Sequence, residues 1–109
     1  MYASILNITF DCADARTQAT FWAAVTGWTA QERDATPGAG GPRLYFTTVP
    51  EPKTVKNRIH LDLLPPGDDQ QAELARLTGL GARVLDDQSP GASWIVMADP
   101  EGNEFCLEG

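Results

Sequence analysis

The segment DPEGNEFCLEG closes the chain, and in it Glu104, Cys106 and Glu108 alternate along a strand and so share one face. The single histidine, His60, alternates with Asp62 in RIHLDLL, and Asn7, Thr9 and Asp11 alternate in SILNITFDC. Imidazole, thiolate and carboxylate donors hold a divalent metal when about three converge and one position stays open for water or substrate. A second chemistry needs no metal. A carboxyl on a buried face, Asp11, Asp62 or Glu104, gains a raised pKa and can exchange protons together with His60. The plain structural reading is a wet sheet face, with His60 hydrogen-bonded to Asp62 or Glu104 and Cys106 filling the last strand.

These residues need strands to present them, and the chain supplies strands in two series. In SILNITFDC, Ile8, Phe10 and Cys12 form the apolar face opposite the polar one. Asp14 is a good N-cap for a helix over ARTQATFWAAVTG, in which Ala19, Trp22 and Val25 fall at helical spacing and Gly27 ends the run. WTAQER and RLYFTTV read as strands, separated by the Gly- and Pro-dense loop DATPGAGGP. The plan then repeats. RIHLDLL alternates, with Ile59, Leu61 and Leu63 on its apolar face. Asp68 and Gln71 form a capping box, and DQQAELARLTGL is a helix with Leu74, Leu77 and Leu80 as its core stripe and Gly81 as its stop. ARVLDD, ASWIVMAD and NEFCLEG follow as three strands, joined by turns at SPG and DPEGN.

The 109 residues fit one domain built of two modules, about 1–52 and about 56–109. A net charge of −7 excludes the basic footprint that nucleic acid requires. No apolar run reaches membrane-spanning length, so no membrane partner is expected, and Met1 leads almost directly into a strand, from which a cytoplasmic location is expected. Two cysteines are too few for a disulfide scaffold, and free thiols are expected. Residues 43–58 carry Arg43, Lys53, Lys56 and Arg58 against Glu51 alone. That run is either a solvated loop or a rim that attracts an anionic ligand. Phe21 and Trp22 read as core, and the indole of Trp94 faces either the core or a cleft.

ITFDCAD followed by FWAAVTGW, then VPEPKTVKNRIHLDL and ADPEGNEFCLEG, resembles the vicinal oxygen chelate superfamily, the glyoxalase and bleomycin-resistance group. The resemblance covers nearly the whole chain. It implies an α+β fold of two βαβββ modules, whose curled antiparallel or mixed sheets form a cleft with the helices outside. The first module looks short enough to be βαββ, with an exposed edge that a homodimer would cover. The resemblance also implies ligand positions. His60 stands at one of them, Asn7 at the matching place in the first module, or Thr9 after a two-residue slip. Cys106 stands where the last strand has a glutamate, flanked by Glu104, and Thr47 occupies the corresponding place in RLYFTTV. The most generous metal set is then His60 with Glu104 or Cys106, joined by Asp62 or Asn7. Such a set is incomplete for the superfamily's metal enzymes. The expectation is therefore a small-molecule binding protein without a complete metal site, its cofactor none or a divalent metal, and its cleft using Thr9, Thr47 and Trp94 among aromatic neighbours such as Tyr45 and Phe46. The alternative is a lyase, isomerase or dioxygenase with a divalent metal.

Overall fold

The computed structural model describes residues 1–38, 40–87 and 94–109, so the expected SPG turn lies outside the described residues. The chain divides into two compact units, Met1–Pro52 and Lys53–Gly109. Each is a βαβββ module with a mixed four-stranded sheet.

In the first unit, β1 (Asn7–Cys12) runs parallel to β4 (Arg43–Thr48), and β3 (Asp34–Thr36) and β2 (Thr29–Ala30) complete the order β1-β4-β3-β2. The helix α1 (Ala15–Thr26) begins where expected, with the Asp14 carboxylate accepting from Thr17 N at 3.1 Å. It ends at Gly27, whose φ of 75° is costly for a residue with a Cβ. Trp22 is 1% exposed and packs against Phe10 and Phe21, with ring centroids 5.7 and 5.3 Å away. Phe46 is fully buried beside Phe10, so it belongs to the core and not to a ligand face.

The shortened first module is corrected: all three strands after the helix are present. The one missed is β3, inside the stretch read as a Gly- and Pro-rich loop. It is three residues long and starts on an aspartate, which strand propensity disfavours. Asp34 is nevertheless buried, because its carboxylate accepts from the Thr36 hydroxyl at 2.8 Å and pairs with Arg43 at 3.4 Å.

In the second unit, β5 (Asp62–Leu63) runs parallel to β8 (Glu104–Glu108) in the order β5-β8-β7-β6, with β6 at Arg83–Asp87 and β7 at Trp94–Ala98. Leu85 is left unpaired between two registers of the β6–β7 ladder, a bulge that bends this strand. Ile95, Met97, Phe105 and Leu107 form the core face, over which α2 (Gln70–Leu80) packs.

Three expectations for this unit are corrected. The capping aspartate is Asp69, which accepts from Ala72 N at 3.0 Å. Asp68 takes a left-handed φ of 56°, away from the extended backbone that an N-cap uses. Of the expected leucine stripe, Leu77 is buried, Leu74 is half-buried and Leu80 is exposed. Steps of three residues lose about 60° of rotation each, so the stripe drifts off the buried side. Glu73, four residues before Leu77, holds the buried line instead, and Arg76 pairs with it at 2.7 Å. That guanidinium holds the Glu73 carboxyl below its ordinary pKa. RIHLDLL forms a strand only at Asp62–Leu63. Ile59, expected on the apolar face, is 77% exposed and is not core. The Pro65–Pro66 pair stops the strand on one side. No helix among the described residues is long and apolar enough to cross a membrane.

Candidate functional site

The register of the second sheet puts the chemistry on its open face. Asp62 lies beside Cys106, and Val96 lies beside Cys106 on the other side. Trp94 pairs with Glu108 and Ala98 with Glu104. Alternation then sends Leu63, Leu107, Ile95 and Met97 to the helix side and leaves Asp62, Cys106, Glu104, Glu108 and Trp94 on the other. A hollow of about 400 Å³ lies over this face, and His60, Lys56 and Val96 also line it. Trp94 is 43% exposed and lines the hollow, so it is not part of the core.

His60 Nδ1 stands 3.0 Å from an Asp62 carboxylate oxygen. One donor atom each from His60, Asp62 and Cys106 lies within 4.8 Å of the others. His60 lies two residues before β5, Asp62 opens β5 and Cys106 is the middle of β8, and parallel pairing of segments far apart in sequence brings them together. Burial pushes the Cys106 thiol up from its ordinary pKa, and the charges of Asp62 and Glu108 push it further, against a smaller opposing pull from Lys56. The thiol is therefore protonated at neutral pH and is a poor nucleophile. Cys12, also a free thiol, is buried in the other unit and donates to the Thr47 carbonyl at 3.5 Å.

We expect iodoacetamide to alkylate Cys106 several-fold more slowly than glutathione at pH 8. Asp62→Asn removes one of the two repelling charges and should speed the reaction. Mass spectrometry of the time course checks both. Alkylation as fast as glutathione's would contradict the electrostatics described here.

Glu104 shares the face but is engaged elsewhere. Its carboxylate accepts from Asn57 N at 2.9 Å and pairs with Lys53 at 3.2 Å, and Lys53 also donates to the Val55 carbonyl. These partners hold its pKa below the ordinary value despite desolvation. Glu104 thus ties the connector before β5 to the sheet and is not grouped with the three donors. Of the four cations in the basic stretch, Lys53 is spent on Glu104 and Arg43 on Asp34.

The first unit has a polar face of its own. Asn7, Thr9 and Asp11 lie beside Arg43, Tyr45 and Thr47 in the parallel β1–β4 register. The Asn7 side-chain oxygen accepts from Arg43 Nε at 2.8 Å, and the Arg43 guanidinium sits 5.5 Å from the Tyr45 ring centroid. Thr9 and Asp11 are exposed, and Thr47 is half-buried.

The donor set of the second unit suits a divalent metal. Imidazole, carboxylate and thiol match zinc better than the oxygen-preferring cations. His60, Asp62 and Cys106 would hold it, and loss of the thiol proton would accompany binding. Sequence reasoning singled out His60 and Cys106 by family position. Their grouping with Asp62, and not with Glu104, depends on who occupies the Glu104 carboxylate, which no spacing rule reveals.

Comparison with solved structures places this architecture among known proteins. A glyoxalase/bleomycin resistance protein/dioxygenase family enzyme from Burkholderia phytofirmans PsJN superposes with a TM-score of 0.73 at 16% identity, covering 96% of this chain and 97% of that one. A possible glyoxalase from Bacillus cereus gives 0.71 at 16% identity, covering 99% and 100%. The fosfomycin resistance protein FosX from Listeria monocytogenes, solved with Mn(II) and 1S,2S-dihydroxypropylphosphonic acid, gives 0.72 at 13% identity, covering 99% and 90%. At such identities the likeness is one of fold, two βαβββ modules, as the resemblance to the vicinal oxygen chelate superfamily implies. No curated protein matches the sequence. The family model for the glyoxalase-like domain matches residues 7–108, nearly the full length, and the chain belongs to that family.

Proposed function

We propose that this glyoxalase-like domain binds a small molecule in the hollow on the open sheet face of its second unit. The observation that carries the reading is the hollow itself, about 400 Å³, lined by Trp94, Val96 and Cys106 together with Lys56, His60, Asp62, Glu104 and Glu108. That volume falls in the range of small-ligand pockets, and Trp94 and Val96 give it apolar surface beside polar groups that could orient a ligand. A screen of drug-fragment-sized compounds against the ¹⁵N-labelled chain tests it. Binders should move the Trp94 indole and the Cys106 and Glu108 amide signals together. Fragments that move only signals outside the second sheet, or none at all, would refute the reading.

A second reading is favoured by the convergence of His60, Asp62 and Cys106. In it the hollow belongs to a metal-dependent lyase, isomerase or dioxygenase. A bound zinc would supply Lewis acidity toward a substrate oxygen. The chain's own residues would orient the substrate against Trp94 and exclude water over Val96. Elemental analysis after dialysis against Zn²⁺ separates the readings. One zinc per chain, lost in both His60→Ala and Cys106→Ser, would carry the metal reading; equal zinc in all three proteins would remove it.

A further inference from the structure

We propose that the hollow of the second unit selects an organic cation, a protonated or quaternary amine carried on a compact apolar body. This rests on the reading that the hollow binds a small molecule, and it names the chemical class. The first ground is the balance of charge around it. Asp62, Glu104 and Glu108 line the hollow against Lys56, with His60 as the remaining titratable base and Cys106 as a thiol. The Glu104 charge is matched by Lys53, which leaves the carboxylates of Asp62 and Glu108 facing one exposed ammonium. Asp62 shares a hydrogen bond with His60, and among the described residues Glu108 has no ion-pair partner.

The second ground is the aromatic wall. Trp94 sits directly across the β7–β8 ladder from Glu108. Cross-strand neighbours lie about 5 Å apart at Cβ, so one small ligand can touch both. A cation over an indole face is drawn by the ring's quadrupole, and a carboxylate beside it adds attraction of the same sign. An anion in that place would meet repulsion from both.

The third ground is the unit as a whole. It has ten Asp and Glu against five Lys and Arg, and several carboxylates already have structural work. Asp69 caps α2 and Glu73 pairs with Arg76. The surplus that remains at Asp62 and Glu108 is on the open face. The proposal thus takes the opposite sign from the anion-attracting alternative for residues 43–58.

The experiment titrates the ¹⁵N-labelled full chain, in low salt with EDTA, with benzyltrimethylammonium, benzyl alcohol and benzoate. Benzyltrimethylammonium should shift the Trp94 indole signal and bind about tenfold more tightly than benzyl alcohol, while benzoate gives no shift. Glu108→Gln should weaken the cation several-fold, with signals remote from the hollow reporting that the variant is folded. Lys56→Glu, on the exposed connector, should tighten it. Benzoate or benzyl alcohol binding as tightly as the cation would overturn the charge preference and leave small-molecule binding standing. No shift at Trp94 from any of the three would overturn the cation proposal, while the fragment screen decides small-molecule binding separately.

Discussion

Trp22→Ala is expected to cost the first unit about 3–5 kcal/mol, the range for removing a large aromatic from a packed core. The indole is almost wholly enclosed, with Phe10 and Phe21 around it. Nothing near it is small and mobile enough to refill the space, because Phe10 and Phe46 already pack on each other at 5.1 Å. The loss should appear in urea titration followed by far-UV circular dichroism, as a midpoint lower by about 2 M. Trp22→Phe keeps most of the ring contacts and should lose less than half as much. A midpoint for Trp22→Ala within about 0.3 M of the parent would show that the aromatic cluster does not hold the unit together.

The second large effect is expected at Asp99, which is 1% exposed in the turn between β7 and β8. One carboxylate oxygen accepts from Glu101 N at 3.0 Å and Asn103 N at 2.9 Å, and the other accepts from Asn103 Nδ2 at 3.0 Å. Asp99→Ala leaves all three donors without this acceptor in a place that water reaches poorly. At about 1–3 kcal/mol for each unsatisfied buried group, partly offset by no longer burying a carboxylate, the net cost is about 2–4 kcal/mol. Asp99→Asn is the informative control. Its amide oxygen can keep both backbone donors, and its NH₂ opposes that of Asn103, so about half the loss should return. Equal destabilisation by Ala and Asn, measured by urea unfolding followed by far-UV circular dichroism, would show that charge and not the hydrogen-bond pattern matters here.

What could be read from residues alone was whatever a short stretch of chain decides for itself. The α1 boundaries followed from Asp14 and Gly27, because a carboxylate acceptor and a left-handed glycine act within one turn of helix. The common face of Glu104, Cys106 and Glu108 followed from the two-residue period of a strand. The strand at Asp34–Thr36 was hidden, because what makes a buried aspartate acceptable is the distant Arg43. The role of Glu104 was hidden for the same reason: its partners, Lys53 and Asn57, arrive from another segment. RIHLDLL pairs over a shorter stretch than its alternation suggests, because alternation describes a capacity to pair, and only Asp62 and Leu63 take ladder positions beside β8, with Leu61 adding its carbonyl to Cys106 N.

The parallel seam between β5 and β8 bears on folding as well as on the site. The strands β6, β7 and β8 form by local antiparallel pairing, whereas β5 must close a long loop to reach β8 and then gains only a two-residue ladder and one further bond, from Cys106 N to the Leu61 carbonyl at 2.9 Å. Such a strand docks late and lets go early. Amide hydrogens along this seam should therefore exchange through a subglobal opening, well before those of the β7–β8 ladder that need the whole unit to unfold. Each opening carries Asp62, and His60 two residues before it, away from Cys106. The face that gathers these three side chains thus exists only while its weakest seam is shut, and a ligand that touched both strands would slow exchange there without altering the rest of the sheet.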